Sequence, residues 1–295
     1  MSGRLKALAR ENAKIVATGG YRSPSGRPVD LADALAEALA QTRIYGPESV
    51  EPGELGRPAD APGAAARTPT RFEVTGESST VAARRLAGSP DGSVAVLAFA
   101  SARNPGGGYV NGAKAQEEAL CRASALYETL LTAREFYEVH RAGASTFYTD
   151  RVIHSPGVPV FRDDRGRLLE HPFRVSFLTS PAPNAGTVRR AEPDRAPEIP
   201  AALVRRAERV LEVAARHGHR RLVLGAWGCG VFRNDPAAVA AAWHTHLTGR
   251  FAHAFDHVVF AILDRDPAVR APFDAAFGTG LGTGLGGPGG VQRQP

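Results

Sequence analysis

Two hydrophobic periods alternate along the chain. Short continuous apolar runs, as expected of strands covered on both faces, are separated by stretches whose apolar residues recur every three or four positions, as on one face of a helix. Residues 1–45 hold two helical stretches. Leu5, Leu8 and Ile15 punctuate the first; Leu31, Ala34, Leu35, Ala38 and Leu39 line the second, with Asp30 placed to cap it. Proline, glycine and alanine dominate 46–69, which reads as a linker or long loop. From residue 70 onwards strands are predicted at 71–75, 94–100, 147–153, 174–179, 221–226 and 256–263. Helices are predicted at 79–86, from 116 through Leu120, Leu126, Leu130 and Leu131, and at 198–216, 236–247 and 267–277. His154-Ser155-Pro156-Gly157 is expected to end the third strand, and the five prolines of 180–200 to carry the chain over the surface. Asp235 followed by Pro236 reads as a helix cap and first helical position. Residues 278–295 are glycine-rich and read as a disordered tail. The expected division is a helical extension and linker at 1–69, one α/β domain at 70–277, and the tail.

Strands alternating with helices predict an α/β fold, a largely parallel or mixed sheet with helices on both faces. In such sheets ligands sit beyond the carboxyl ends of the strands. Two glycine loops follow strands directly: Gly106-Gly107-Gly108, after Asn104 and Pro105, and Gly228-Cys229-Gly230. Glycine opens positive φ and lets a ligand approach bare backbone, and a loop between strand and helix aims N–H groups at an anion. Two such loops at one sheet edge can grip one ligand from two sides, as a diphosphate requires.

Seven residues beyond the first loop, Gln116, Glu117 and Glu118 open a helix. Glutamates in a first turn complement the helix dipole by roughly 0.3–1 kcal/mol. Beside a phosphate site, however, two carboxyls repel the ligand unless they take part in chemistry. Neighbours on a helix diverge by about 100°, so the pair cannot flank a glycosidic bond at the ~5–9 Å of two-carboxylate glycosidases. A division of labour follows. One carboxyl protonates the leaving oxygen and then activates water; the other holds a sugar hydroxyl or faces elsewhere.

Composition narrows the partners. With 43% hydrophobic and 22% charged residues, the 295-residue chain is ordinary for a globular protein. Its net charge of +6 suits an anionic partner. No segment approaches the ~18 apolar residues of a membrane span, and the charged N-terminus carries no signal-peptide block, so no membrane partner and a cytoplasmic location are expected. Cys121 and Cys229 form no metal or disulfide motif, and neither metal nor cofactor is expected. A GxGxxG match, at Gly282, Gly284 and Gly287, lies in the tail without a strand before it or a helix after it. No GK[ST] or G-x-S-x-G motif is present. His244 and His246 point some 200° apart on a helix and cannot share a metal from one face. A specific nucleic-acid binder is disfavoured, because basic patches interleaved with aromatics are lacking.

The ordered string GGG, seven residues, QEE resembles the signature of the bacterial-type poly(ADP-ribose) glycohydrolases, which are built on a macrodomain. FASARNPGGGYVNGAKAQEEALCRAS (99–124), SPGVPVFRDD (155–164), TSPAPNAG (179–186) and GAWGCGVFRNDP (225–236) are similar to the same family. The likeness covers about 70–277, and the helical N-terminal layer is similar to an extension such enzymes carry. It implies a macrodomain-like three-layer α/β/α fold with a mixed central sheet, plus the N-terminal helical extension. It further implies hydrolysis of the ribose–ribose O-glycosidic bond of poly(ADP-ribose), exo-acting, releasing ADP-ribose. Glu118 would be the general acid/base and Glu117 would bind a hydroxyl of the ribose at the scissile bond. Asn104 would bind ribose, and Gly106, Gly107 and Gly108 would form the catalytic loop against diphosphate and distal ribose, with Gln116 also among the substrate-binding residues. Gly228, Cys229, Gly230, Val231 and Phe232 would form a second diphosphate loop, Phe232 packing on the distal ribose. The expected partners are poly(ADP-ribose) and ADP-ribosylated proteins, and the expected state is a monomer. The alternative is a non-catalytic ADP-ribose-binding module, which has no use for paired carboxyls beside a phosphate site.

Overall fold

The computed structural model describes residues 2–51, 69–88 and 93–278. Most of the expected linker (52–68), nearly all of the tail and the GxGxxG match lie outside the described residues.

The N-terminal segment contains helix α1 (Gly3–Thr18), a small hairpin of β1 (Gly20–Arg22) and β2 (Pro28–Asp30), helix α2 (Ala32–Gln41) and strand β3 (Arg43–Tyr45). Two helices were expected there, and the three short strands were not. At three residues each they are too short to display a period-2 pattern. Asp30, expected to cap α2, ends β2 one residue ahead of the N-cap position at Leu31, and its carboxylate accepts the Ala32 N–H at 2.8 Å.

The chain continues through β4 (Arg71–Thr75), α3 (Ser79–Ala87) and β5 (Val94–Phe99). The helical run after Gln116 is broken into α4 (Gln116–Ala123), α5 (Leu126–Thr132) and α6 (Arg134–Ala142). Ser124 makes the first break. Its backbone is extended and bridges Val160, while its Oγ donates to Leu120 O and accepts the Leu126 N–H.

Next come β6 (Val152–Arg162) and β7 (Leu168–Ser180). The strand expected at 147–153 thus begins five residues later and runs through Pro156-Gly157 instead of ending there. Gly157 at φ +57° lies within a register shift between Ser155 and Val158, a bulge that absorbs the proline. The remaining elements are α7 (Ala185–Ala191), α8 (Ile199–Arg216), β8 (Arg221–Leu224), α9 (Pro236–Leu247), β9 (His257–Ala261) and α10 (Pro267–Phe277). The proline-rich segment at 180–200 does not simply cross the surface: Pro181, Ala182 and Pro183 are buried and lead into α7.

Seven strands form one sheet in the order β3-β6-β7-β5-β8-β9-β4. β7, β5, β8, β9 and β4 run parallel, and β6 and β3 add antiparallel pairs at one side. β5 is buried on both faces and splits its side chains by parity. Ala95 and Leu97 join the core under α8, α9 and α10; Val94, Val96 and Ala98 join the core under α2 to α6. The result is the expected three-layer α/β/α arrangement around a mixed sheet.

One irregularity positions the site. β5 pairs with β7 over Ala95–Phe99, but with β8 only over Val94–Val96. The two parallel strands part at their carboxyl ends, and a cleft opens between them.

Candidate active site

A cleft of about 710 Å³ lies over that split, within the usual range of ligand sites. Both glycine loops border it, as do Asn104, Gln116, Glu117 and Glu118. Of the residues expected at the site, Gly106 alone is set back from the cavity wall, buried against Tyr127 and Cys121. The juxtaposition expected from the sequence is therefore present, since both loops leave neighbouring parallel strands at the same edge.

The first loop does something other than offer free N–H groups. Gly107 N–H donates to Asn104 O at 3.0 Å, and Gly108 N–H donates to Glu118 Oε1 at 2.8 Å. The expectation that these glycines cradle a phosphate through their amides is not met at those two positions. Their role is steric. Gly107 has φ +58°, and a Cβ there would lie 2.5 Å from Glu118 Oε1 and 3.1 Å from Glu117 Oε2. The loop is a mould into which both carboxyls fit, so the roughly 100° divergence of their Cα–Cβ bonds is overcome by the length of the side chains.

Glu117 and Glu118 are both buried. Glu117 Oε2 accepts the Ser101 N–H at 2.7 Å, and each glutamate keeps one buried oxygen, Glu117 Oε1 and Glu118 Oε2, without a partner among the described residues. Burial drives the Glu117 carboxyl well above the ordinary carboxylate range. The Ser101 and Gly106 N–H groups pull it down, and the Glu118 charge pushes it up further. Cys121, beneath the loop, is likewise held as a thiol by burial.

Gln116 lines the cleft with the other expected residues, but its carboxamide is engaged by the protein. Its Oε1 accepts the Phe99 N–H at 2.9 Å, and its Nε2 donates to Leu97 O at 2.8 Å and Ser79 Oγ at 3.0 Å. Both amide hydrogens are thus engaged by the protein.

The second loop is built differently. Gly228 has φ +73°, with Ala182 Cβ and Asn234 Nδ2 each 2.5 Å from where a Cβ would stand, and Asn234 Nδ2 donates to Pro183 O and Gly228 O. No acceptor among the described residues takes the N–H groups of Gly230, Val231 and Phe232. Three consecutive amides are thus free to bind an anion. Cys229 N–H donates to Ala226 O at 3.2 Å, and burial pushes its thiol up to about 12. Phe232 is half-buried, its ring 6.0 Å from that of Tyr148.

The family description "Microbial-type PARG, catalytic domain" matches residues 9–163. The chain belongs to that family. A crystal structure of poly(ADP-ribose) glycohydrolase from Thermomonospora curvata is 50% identical, with a TM-score of 0.83, covering 94% of this chain and 98% of that one. The same enzyme bound to the inhibitor ADP-HPD is 49% identical at a TM-score of 0.81, with the same coverage. Poly(ADP-ribose) glycohydrolase from Deinococcus radiodurans in complex with ADP-ribose is 44% identical at a TM-score of 0.75, covering 84% of this chain and 98% of that chain. No curated protein matches.

As a microbial-type PARG the protein is a glycosidase of poly(ADP-ribose). Several residues of its site left no mark in the sequence pattern. Ser101 fixes Glu117; Lys114, Leu263 and Asp264 reach the cleft from an irregular loop and from beyond β9. Tyr148, at φ +60°, supports Phe232 from a loop held by fully buried Arg206, which bonds Asp150, Pro181 O and Phe147 O. The Arg205-Arg206 pair reads as solvated charge in sequence, and only the tertiary fold separates the exposed member from the buried one. Among the described residues no group of three or more His, Cys, Asp or Glu could hold a metal, and no helix is long and apolar enough to cross a membrane.

Proposed function

We propose that the protein removes ADP-ribose units from the end of poly(ADP-ribose), with Glu118 as the single general acid/base. The observation that carries this is the convergence of two strand-end loops and one carboxyl pair on a single cleft. The open amides of Gly230, Val231 and Phe232 take the pyrophosphate. Phe232, braced by Tyr148, packs against the distal ribose, and Asn104 at the mouth hydrogen-bonds a ribose hydroxyl. Glu117 holds its proton because it is buried, so it can donate to a sugar oxygen without placing a second negative charge at the site.

Glu118 is anchored through one oxygen by Gly108 N–H, which leaves Oε2 for chemistry. It gives its proton to the departing ribose oxygen as the C1–O bond breaks. The resulting carboxylate faces an oxocarbenium-like centre, then takes a proton from the water whose oxygen bonds C1. The proton is restored, and ADP-ribose leaves. One chain supplies every group named, in keeping with a monomer acting on ADP-ribosylated proteins.

The test is release of free ADP-ribose from poly(ADP-ribose) by wild type and Glu118→Gln. The Gln variant should bind ADP-ribose and lose about 100-fold or more in turnover. Equal release by both proteins would remove Glu118 from its role. Release of oligomers rather than monomers early in the reaction would overturn the chain-end reading.

A further inference from the structure

Helix α4 delivers its glutamates to the place where the sheet comes apart, and Gln116 fills the gap. In a parallel ladder alternate residues turn both polar groups toward one neighbour. Ala100 N–H donates to Ser180 O on the β7 side, so Leu97 and Phe99 turn theirs toward β8, beyond the point where β8 pairing ends at Val96. One carboxamide serves both. Gln116 accepts from Phe99 N–H at 2.9 Å and donates to Leu97 O at 2.8 Å, the two bonds that one residue of a longer β8 would make through its own C=O and N–H. Glu117 then accepts the next outlying amide, Ser101 N–H, at 2.7 Å. The first turn of α4 is stitched to the strand end it serves.

We propose that Gln116 is a positioning residue for the hydrolysis: its carboxamide stands in for the missing strand and fixes the register of α4, and with it the Glu118 carboxyl, over the cleft. The proposal rests on the reading of Glu118 as the acid/base. Gln116 touches no reacting atom. It acts by holding the helix whose displacement by about 1 Å would cost on the order of 100-fold in rate.

Gln116→Met keeps the length of the side chain and removes all three bonds. Gln116→Glu offers a sharper probe. When protonated, its carboxylic acid has one acceptor for Phe99 N–H and one O–H donor for Leu97 O; when ionised, it has nothing to donate and confronts a carbonyl oxygen. With poly(ADP-ribose) as substrate, the Met variant should lose about 100-fold in kcat while its ADP-ribose Kd, measured by calorimetry, stays within about threefold of wild type. An introduced carboxylate would face the Leu97 carbonyl oxygen in a part-buried place, so its protonated form is favoured beyond the ordinary carboxylate range. The Glu variant should therefore exceed the Met variant in kcat at about pH 5, and its ratio to wild type should fall toward about pH 8 as the acid ionises. Should the Met variant fail to fold, the Glu profile still decides.

A Glu-to-wild-type ratio unchanged across that range would overturn the proposal. So would a Met variant with wild-type kcat, or one losing affinity and kcat in equal proportion, which marks plain structural damage. Glu118→Gln run alongside separates the two readings. If it is inactive while the Gln116 variants are normal, the positioning role alone fails; if it is active, the acid/base reading fails first.

Discussion

Glu117 is the residue whose surroundings most oppose its charge. Burial raises its carboxyl well above the ordinary range, with Glu118 adding to the rise. A carboxyl raised on folding contributes stability that is complete below its unfolded value, near 4.5, and is lost as pH climbs through the folded value. Glu117→Gln abolishes that loss while keeping an oxygen for the Ser101 N–H. Its Tm should therefore match wild type near about pH 4 and exceed it at about pH 8 by a few degrees, a chain of this size shifting ~2–4 °C per kcal/mol. Turnover should fall at the same time, because active sites trade stability for function. A Tm difference that is constant with pH would show that Glu117 is ionised in the folded protein. The chemistry of this residue was legible as a motif, two acids after a glycine loop. What could not be read was how the two buried acids differ in their partners, because that depends on Ser101 and the fold of the loop above them.

The two glycine loops look alike in sequence and are not alike in demand. Gly228 is forced: φ is +73°, and Ala182 and Asn234 occupy the space of a side chain. Gly230 has nothing within 4 Å of a Cβ. Gly228→Ala should carry the left-handed penalty of about 1–2 kcal/mol plus the collisions, lowering Tm by several degrees and weakening ADP-ribose binding. Gly230→Ala should leave the thermal unfolding curve within about 1 °C of wild type, as expected of an unstrained surface change. Thermal melts of both, with and without ADP-ribose, check this; matching losses would mean that the loop needs flexibility throughout. The same contrast governs how far elements could be read from sequence. The predicted bounds of α9 and α10 agree with the structure because Asp–Pro starts and apolar spacing are local signals. β6 was misplaced because its Pro156-Gly157 interruption is absorbed by a bulge against β7, between the pairs Ser155–Phe177 and Val158–Val175. α4 to α6 were read as one helix because Ser124 leaves the helix to meet Val160, again a distant partner.

The N-terminal segment is bound to the rest at several places, and two of them work on different parts of the molecule. Near the site, Asn12 on α1 donates to Arg122 O at 2.8 Å and accepts from Arg162 Nε at 2.7 Å, clamping the end of α4. At one edge of the sheet, β3 pairs with β6, and Tyr45 OH lies 2.6 Å from His217 Nε2. Under that seam His154 stacks on His217 at 3.7 Å and shares a 2.9 Å hydrogen bond with His219, whose other nitrogen meets Ser93 Oγ. Burial, then the neighbouring rings, lowers His154 to about 2, and burial, then His217, lowers His219 to about 4. Such groups fold neutral, so the unfolded chain takes up protons first as pH falls. Their contribution is complete above the unfolded value of 6.5 and drains away as pH falls toward the folded values. Unfolding free energy should decline below about pH 6.5 by about 1.4 kcal/mol per pH unit for each proton taken up by the unfolded chain alone. His219→Gln removes one of those protons. It should be less stable at neutral pH, having lost its fit between Ser93 and His154, yet its stability should fall less steeply between about pH 6.5 and about pH 4, by about one proton's slope. Urea unfolding of both proteins across that interval measures the two slopes. Parallel lines would mean that His219 is as free to protonate in the fold as in the unfolded chain, and that the seam joining β3 to the sheet is open to water.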